Sequence, residues 1–268
     1  MSVTPALQLV NIHKTFGAGT LNENHVLKGI DLTLNPGEFV TVIGGNGAGK
    51  STLMNTIAGS FPPDIGQVVV NGHDITELGI YKRATHIAHV FQDPSKGTAT
   101  RLTIEENMAL ASRRGLSRGL RAGVKSEDRK KMKERLAILG LGLEDRLTTD
   151  VQFLSGGQRQ ALTLLMATLR RPDLLLLDEH TAALDPKTSA MVLEITEKIV
   201  REEKLTTLMI THNMEDAINH GDRLIMLHQG QIVLDVAGEE KNNLTVMGLL
   251  DMFQRASGDH SASDSLLI

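Results

Sequence analysis

The residues best suited to chemistry form one short glycine-rich segment, GGNGAGKS, at positions 44–51. This segment fits the pattern G-x-x-x-x-G-K-[ST] in full, and its glycines allow backbone N–H groups to turn inward around phosphate oxygens. Lys50 supplies a positive charge for the β- and γ-phosphates, and Ser51 supplies a hydroxyl ligand for Mg²⁺. We therefore predict that ATP phosphates bind here, to Gly44, Gly45, Asn46, Gly47, Ala48, Gly49, Lys50, Ser51 and Thr52.

A second chemical feature is a pair of adjacent carboxylates at the end of the apolar run LLLLD. Asp178 closes this run, which is typical of a strand whose terminal carboxylate reaches a phosphate-bound Mg²⁺. Glu179 follows directly, and a second carboxylate beside a metal ligand can orient and polarise an attacking water. Together with the phosphate-binding segment, the pair indicates hydrolysis of a nucleoside triphosphate.

The elements around these residues indicate an α/β fold. The run at 39–43 is almost continuously apolar, as in a strand that is buried on both faces, and it leads through the glycine-rich segment into a helix at 50–58. Further on, buried strands alternate with helices, which favours a mostly parallel sheet. Strands at 7–10, 30–34 and 68–70 predict a separate antiparallel sheet, because Asn71-Gly72 suits a tight turn. Remaining elements are predicted at 102–143 (helical, with breaks at Gly115, Gly119 and Gly123), 160–169 (helix), 174–177 (strand), 187–203 (helix), 207–210 (strand), 223–227 (strand) and 231–234 (strand).

Composition excludes several classes of function. The chain has 268 residues and no cysteine, which rules out disulfide scaffolds, zinc-thiolate sites, iron–sulfur clusters and thiol nucleophiles. Aromatic residues make up 3%, which disfavours a stacking platform for single-stranded nucleic acid. No apolar run approaches the roughly 20 residues that span a bilayer, so any membrane role is expected to come through a partner.

Charge is unevenly distributed along the chain. The net charge is −4, yet the segment 113–135 holds ten Lys/Arg and three Asp/Glu. This segment is either a solvated helix face or a contact with phosphates of lipid headgroups or nucleic acid. Of the two phosphate sources, we favour lipid.

The segment LSGGQ lies between the phosphate-binding loop and the carboxylate pair. With these three motifs in this order, the chain resembles the ATP-binding subunit of an ABC transporter. The resemblance implies that the γ-phosphate of ATP held by the opposite subunit contacts the signature, Leu154, Ser155, Gly156, Gly157 and Gln158. Ser155 and the glycines open a helix, so that N–H groups and a hydroxyl can face an anion.

The resemblance also implies roles for single residues outside these motifs. Phe16 stands where an aromatic ring, usually Tyr, stacks on adenine. Gln92 matches the glutamine that senses Mg²⁺ and the γ-phosphate, Asp185 matches an aspartate at the subunit interface, and His212 matches a histidine that contacts the γ-phosphate. The catalytic set is then Glu179, His212 and Gln92, and the metal set is Ser51, Gln92 and Asp178. His180 occupies a position that is usually proline, and we expect it to be structural.

The fold that the resemblance implies is a RecA-like P-loop NTPase core, an antiparallel β-subdomain and an inserted helical subdomain at roughly 94–163. The whole chain, 1–268, would be one ATP-binding domain, with a flexible tail at 256–268. Residues 102–150 lie where this family docks its transmembrane partner.

The predicted function is therefore a transport ATPase that dimerises around two Mg-ATP and powers a separate permease. We expect it at the inner face of the cell membrane, on the cytoplasmic side, with an extracytoplasmic substrate-binding protein in the full system and no nucleic acid partner. The run 178–188 resembles importer ATPases of the tryptophan/tyrosine type, whose permeases resemble those for branched-chain amino acids. The resemblance therefore implies an importer of amino acids or a similar small solute.

Three alternatives remain open at this point. One is a free-standing exporter ATPase, and another is a soluble ABC ATPase that acts on ribosomes or DNA. The third is a non-catalytic nucleotide-binding module, which would be expected to lack Glu179 or His212, although both are present.

Overall fold

The structure is a computed structural model that describes residues 4–116, 124 and 126–257. The described residues form ten strands and nine α-helices. The strands are β1 (Leu7–Phe16), β2 (Asn24–Leu34), β3 (Phe39–Ile43), β4 (Ile65–Val70), β5 (His73–Asp74), β6 (Ile87–Val90), β7 (Leu174–Asp178), β8 (Thr207–Ile210), β9 (Arg223–His228) and β10 (Gln231–Ala237). The helices are α1 (Lys50–Ala58), α2 (Ile80–Arg83), α3 (Ile104–Ala111), α4 (Ser126–Ala137), α5 (Gly156–Thr168), α6 (Pro186–Glu203), α7 (Met214–Asn219), α8 (Gly238–Asn242) and α9 (Val246–Ser257).

The first sheet is antiparallel and has the strand order β2-β1-β4-β5. Strand β1 pairs with both neighbours, so that Leu7 lies opposite Leu34 on one side and Val70 on the other. The turn between β4 and β5 has positive φ angles of 48° at Asn71 and 78° at Gly72. This turn matches the expectation from the Asn-Gly pair, because such turns require positive φ at both central residues.

The second sheet has six strands in the order β10-β9-β3-β8-β7-β6. All its neighbouring pairs are parallel except β9 with β10. Every residue of β3 and β8 is buried, because this sheet is covered on both faces. The predicted α/β architecture with a RecA-like core and an antiparallel subdomain is confirmed. In open parallel sheets, ligands bind at the carboxyl ends of the strands, so the ends of β3, β7 and β8 define the edge to inspect.

Between β6 and β7 the chain leaves the sheet and forms α3, α4 and α5. Helix α3 begins with a capping box, in which the Thr103 hydroxyl accepts the N–H of Glu106 and the Glu106 carboxylate accepts the N–H of Thr103. The predicted helical stretch 102–143 is thus two helices, and Gly115 between them has a φ of 70°. Gly119 and Gly123, the other two predicted breaks, lie outside the described residues. A continuous hydrophobic cluster joins these helices to one face of the core sheet.

The C-terminal helix α9 was missed by the sequence analysis, which placed a flexible tail at 256–268. Ala256 and Ser257 are the last residues of this helix, and 258–268 lie outside the described residues. The helix is amphipathic: Leu249, Leu250 and Phe253 are buried against β9, β10 and α7. No helix in the described ranges has both the length and the apolar character to span a bilayer.

Candidate nucleotide site

The phosphate-binding loop runs from the end of β3 to the start of α1 and is curled around its own lysine. The Lys50 ammonium donates to the carbonyl of Gly44 at 2.7 Å and to that of Gly45 at 3.3 Å, and the side chain is buried. Gly44 is required because a Cβ at this position would lie 2.3 Å from the carbonyl oxygen of Leu227 in β9. The loop therefore forms a cradle around the Lys50 ammonium.

The β9–β10 turn and helix α9 also lie against this loop, and the sequence analysis did not assign either of them to the site. The N–H of Gly230, in the turn between β9 and β10, donates to the carbonyl of Ala48 at 3.1 Å. His228 and Phe253, whose rings meet edge to face at 5.2 Å, border a small cavity of about 100 Å³ beside the loop. The predicted strands at 223–227 and 231–234 require a turn between them, but nothing in the sequence indicated what that turn would contact.

The predicted catalytic residues meet at the carboxyl ends of neighbouring strands. Leu177 of β7 lies opposite Val90 of β6 and Met209 of β8. Asp178 ends β7, and Gln92, Glu179 and His212 follow the ends of β6, β7 and β8, so all four are brought to one edge of the sheet. The His212 Nδ1 atom is 4.0 Å from Glu179 Oε2, which places an imidazole beside the carboxylate.

Burial and charge shape the electrostatics of this edge. Burial raises the pKa of the Asp178 carboxyl, the charge of Glu179 raises it further, and Lys50 and Lys96 oppose the shift. Burial lowers the pKa of the Lys50 ammonium, against the attraction of Glu179 and Asp178. Two carboxylates and one ammonium thus lie together at a partly buried edge, where a cation or a phosphate would interact with them more strongly than in bulk water. The sequence analysis did not assign Lys96, four residues after Gln92, to this site.

Phe16 lies at the end of β1 in the antiparallel sheet and is 40% exposed. Its ring meets Phe61 edge to face at a centroid distance of 5.3 Å, and the Lys14 ammonium lies 5.7 Å from the Phe16 centroid. The neighbouring strand β2 reaches the phosphate-binding loop, since a Cβ on Gly49 would lie 3.0 Å from the Leu27 side chain. The partly exposed Phe16 ring therefore belongs to the same antiparallel sheet that contacts the loop through β2.

The signature Leu154–Gln158 lies at the start of α5, whereas the phosphate-binding loop of the same chain leads into α1. Ser155 caps α5, and it forms a capping box with Gln158 through two hydrogen bonds of 3.2 Å. The Ser155 hydroxyl accepts in this box, so its own proton is left to donate. The helix start packs closely on α6, because a Cβ on Gly157 would lie 2.1 Å from the Thr188 methyl. Asp185 caps α6 by accepting the N–H of Thr188 at 3.1 Å.

No hydrogen bond or ion pair joins residues 154–158 to 44–52 within the described part of the chain. The structure thus brings together the loop, the carboxylate pair, Gln92 and His212. The signature and Asp185 lie at the starts of α5 and α6. Ser155, Gly156 and Asp185 are exposed to solvent, whereas Leu154 and Gly157 are buried.

Three comparisons place the chain among known proteins. A family model described as "ABC transporter" matches residues 27–182. The "Tyrosine transport ATP-binding protein" of Clostridioides difficile (strain R20291) is 46% identical over 250 residues, which cover 93% of this chain and 99% of that protein. A solved ATP-binding cassette of an ABC transporter, in its ADP conformation, has a TM-score of 0.77 at 25% identity over 98% of both chains.

A second solved cassette is a dimer in a post-hydrolysis state, bound to ADP and Pi. It has a TM-score of 0.73 at 30% identity and covers 86% of this chain and 98% of its own. The family match extends over more than half of the chain, and the tyrosine transport relative aligns along nearly its full length. This chain is therefore a member of the ABC transporter family, as an ATP-hydrolysing subunit.

Proposed function

We propose that two copies of this chain enclose two ATP molecules with Mg²⁺ and drive a membrane permease that imports an aromatic amino acid such as tyrosine. The observation that carries the hydrolytic part is the convergence of Lys50, the Asp178–Glu179 pair and His212 at one edge of the core sheet. The substrate class is supported by the 46% identity with a tyrosine transport ATP-binding protein.

Each residue at this edge has a task that suits its chemistry. Lys50, already inside the cradle, would offer its ammonium to the β- and γ-phosphates in place of the Gly44 carbonyl. Glu179 would accept a proton from the attacking water. His212, whose Nδ1 atom is 4.0 Å from the Glu179 carboxylate, would contact the γ-phosphate that this water attacks. Phe16 would stack on the adenine with its exposed face.

The donor set fits a Mg²⁺ ion. The Ser51 hydroxyl, the Asp178 carboxylate and the Gln92 amide oxygen are hard oxygen ligands, which this ion prefers. No group of three or more His, Asp or Glu side chains in the described ranges forms a metal site by itself, so phosphate and water oxygens would complete the shell. The ion would supply charge neutralisation at the phosphate oxygens.

The separation of the signature from its own loop favours a site made by two chains. Ser155 retains a donor proton, and the first N–H groups of α5 have no partner within the helix. Such a helix start binds an anion well, yet no hydrogen bond or ion pair joins it to the phosphate-binding loop of the same chain in the described residues. A second copy, placed with its loop against this helix start, would complete both sites, and Asp185 would lie at the contact.

The remaining partners follow from a transport role. The permease would dock on the helices between β6 and β7 and hold the chain at the cytoplasmic face of the membrane, and a substrate-binding protein would deliver the amino acid. In the described part of the basic segment, Arg129 pairs with Glu105 at 2.7 Å and Arg135 with Glu203 at 2.6 Å. These pairs use part of the positive charge within the helical region, and nucleic acid is not among the proposed partners.

Replacing Lys50 tests the nucleotide assignment. Lys50→Ala removes an ammonium from a buried phosphate contact, so ATP affinity measured by calorimetry should fall about tenfold or more, and turnover should be lost. Lys28→Ala, which removes a lysine on β2 outside the loop, is the matched control and should leave both unchanged. If Lys50→Ala binds and hydrolyses ATP like the parent, the phosphate assignment is wrong.

Import is tested with the permease. The parent chain, coexpressed with a candidate permease and binding protein, should drive uptake of labelled tyrosine, and Glu179→Gln should abolish this uptake. Efflux of tyrosine from loaded cells would instead favour an exporter, and uptake of a different solute would reject the aromatic amino acid.

A further inference from the structure

The residue after Glu179 is a histidine that the interior of the protein encloses. His180 is 2% exposed, and its Nε2 atom lies 3.0 Å from the hydroxyl oxygen of Thr196, a buried residue in the middle of α6. The Thr196 hydroxyl also lies 2.8 Å from the carbonyl oxygen of Val192, one turn earlier in the helix. The His180 side chain, next in sequence to the carboxylate pair, is therefore hydrogen-bonded directly to the long helix α6.

The direction of these bonds follows from counting protons. A hydroxyl has one proton, and a carbonyl can only accept, so Thr196 donates to Val192. The Thr196 oxygen must then accept from His180, which fixes the imidazole proton on Nε2. Burial lowers the pKa of His180 to about 4, and the nearby His220 contributes to this shift, so the ring is neutral near pH 7. The side chain is thus held in one tautomer.

The backbone at Glu179 is strained, so neighbouring contacts must stabilise its conformation. Its φ is 43°, in the left-handed region that non-glycine residues adopt rarely. The Glu179 N–H donates to the carbonyl of Ile210 in β8 at 3.0 Å, and its carbonyl accepts from Ala182 at 3.0 Å. These two bonds fix one side of the turn. The next residue, His180, is the point at which the turn is tied to α6.

We infer that His180 is a positioning residue for Glu179: its Nε2–H bond to Thr196 ties the strained turn to α6 and so holds the Glu179 carboxylate beside His212. This inference rests on the proposed role of Glu179 as the group that activates water. A displacement of about 1 Å at such a group costs on the order of a hundredfold in rate, whereas nucleotide binding depends mainly on the loop at 44–52. Loss of the bond should therefore lower kcat and spare ATP affinity.

Thr196→Val tests the inference, because it keeps the shape of the residue and removes the acceptor. We expect kcat for ATP to fall about tenfold to a hundredfold with an unchanged Kd for ATP. Thr196→Ser keeps the hydroxyl and should restore kcat to near the parent value. Thr168→Val is the matched control: Thr168 is equally buried, and its hydroxyl bonds only to the Leu165 carbonyl within α5. Thermal unfolding of each variant verifies that it is folded.

The histidine side of the bond gives a second test. His180→Leu should lose kcat as Thr196→Val does, and His180→Gln, which can place an N–H near the position of Nε2, should recover part of it. The double variant Thr196→Val/His180→Leu should lose no more than either single variant, because one bond is removed in all three.

The failures of the two proposals are distinguishable through Glu179→Gln measured in parallel. If Glu179→Gln is inactive while Thr196→Val and His180→Leu keep the parent kcat, the positioning role is wrong and the catalytic assignment stands. Equal losses in Thr196→Val and Thr168→Val would also overturn it, since they would reflect general loosening. If Glu179→Gln hydrolyses ATP at the parent rate, the catalytic assignment is wrong, and the inference for His180 falls with it.

Discussion

Asp178 and Glu179 are neighbours in sequence but stand in different surroundings. Asp178 ends β7 in extended backbone, and burial raises the pKa of its carboxyl. Glu179 turns away from the strand with a positive φ, and its side chain is 23% exposed beside His212. One strand end thus presents a more buried carboxylate and a partly exposed one, and the charges of both act on the loop lysine.

Because Glu179 is the partly exposed one of the two carboxylates, we predict that Glu179→Gln impairs hydrolysis and spares ATP binding. The variant keeps the shape of the side chain and removes its charge, so ATP should still bind through the loop while the general base is lost. Turnover in a phosphate-release assay should fall about a hundredfold or more. Glu194→Gln, on α6 away from the site, is the control. A Glu179→Gln protein that binds no ATP would mean that Glu179 is structural, and near-parental turnover would move the base role to another group, His212 first.

Buried neutral histidines predict how folding stability depends on pH. Burial lowers the pKa of both His89 and His180 to about 4, below the ordinary value of 6.5. Between these pH values the unfolded chain binds protons that the folded chain does not, so stability falls as pH decreases from about 6.5 toward 4. Each group contributes up to about 3 kcal/mol of this loss.

Urea denaturation at several pH values between 7.5 and 5 measures this dependence. His180→Gln removes one of the two titrating groups and should give a shallower loss of stability on acidification. His73→Gln, which changes an exposed histidine, should follow the parent. A His180→Gln protein with the parental slope would show that His180 is protonated in the folded state as easily as in the unfolded one.

At the scale of elements, α5 and α6 determine where the signature can act. Their N-terminal turns pack together so closely that Gly157 has no room for a Cβ against Thr188. Both turns are capped, by Ser155 and by Asp185, and both caps are exposed. The helix starts therefore form one closely packed, exposed surface, and in the described residues no hydrogen bond or ion pair joins it to the phosphate-binding loop of the same chain.

This arrangement predicts complementation between two inactive variants. Ser155→Arg and Lys50→Ala should each abolish hydrolysis, because each damages both sites of a homodimer. A mixed dimer has one site with an intact loop from the first variant and an intact signature from the second, so mixing should restore activity. Ser60→Arg, an equal change at an exposed serine after α1, should remain active. Absence of any recovery on mixing, or an active Ser155→Arg protein, would argue against composite sites.

At the scale of the whole molecule, three hydrophobic clusters join the parts of the chain. One holds the helices between β6 and β7 against the core sheet, another joins the antiparallel sheet to α1, and a third seats α9 on β9 and β10. The nucleotide site touches the last two, since the loop contacts β2 on one side and the β9–β10 turn on the other. A nucleotide in the loop would thus contact a surface built by distant parts of the chain.

For the assembled protein we predict a nucleotide-dependent dimer. Glu179→Gln should accumulate as a closed dimer with ATP and Mg²⁺, because it binds ATP, hydrolyses it slowly and lacks one of the negative charges at the contact. Size-exclusion chromatography with and without ATP measures the shift. The double variant Lys50→Ala/Glu179→Gln should remain monomeric. If Glu179→Gln elutes as a monomer at saturating ATP, the ATP-sandwich dimer is not the functional form.

The chemistry of this protein is encoded in contiguous segments, which is why the sequence alone predicted it. Three motifs carry it: a glycine-rich loop between a buried strand and a helix, a carboxylate pair after an apolar run, and LSGGQ between them. Each motif needs only a few residues in a fixed order, because its shape depends on the local backbone. The fold class followed from the same local patterns, since alternation of buried strands and helices requires a mostly parallel sheet.

Contacts between residues far apart in the chain were decided only by the tertiary structure. His212 meets Glu179, Gly230 supports Ala48, and His180 bonds to Thr196 because strand order and helix packing bring them together. Helix α9 was missed although Val246, Leu249, Leu250 and Phe253 recur at helical spacing. The sequence did not show the surface on β9 and β10 that buries them. Motifs depend on the order of residues, whereas these contacts depend on the distance between elements, which packing of the whole chain sets.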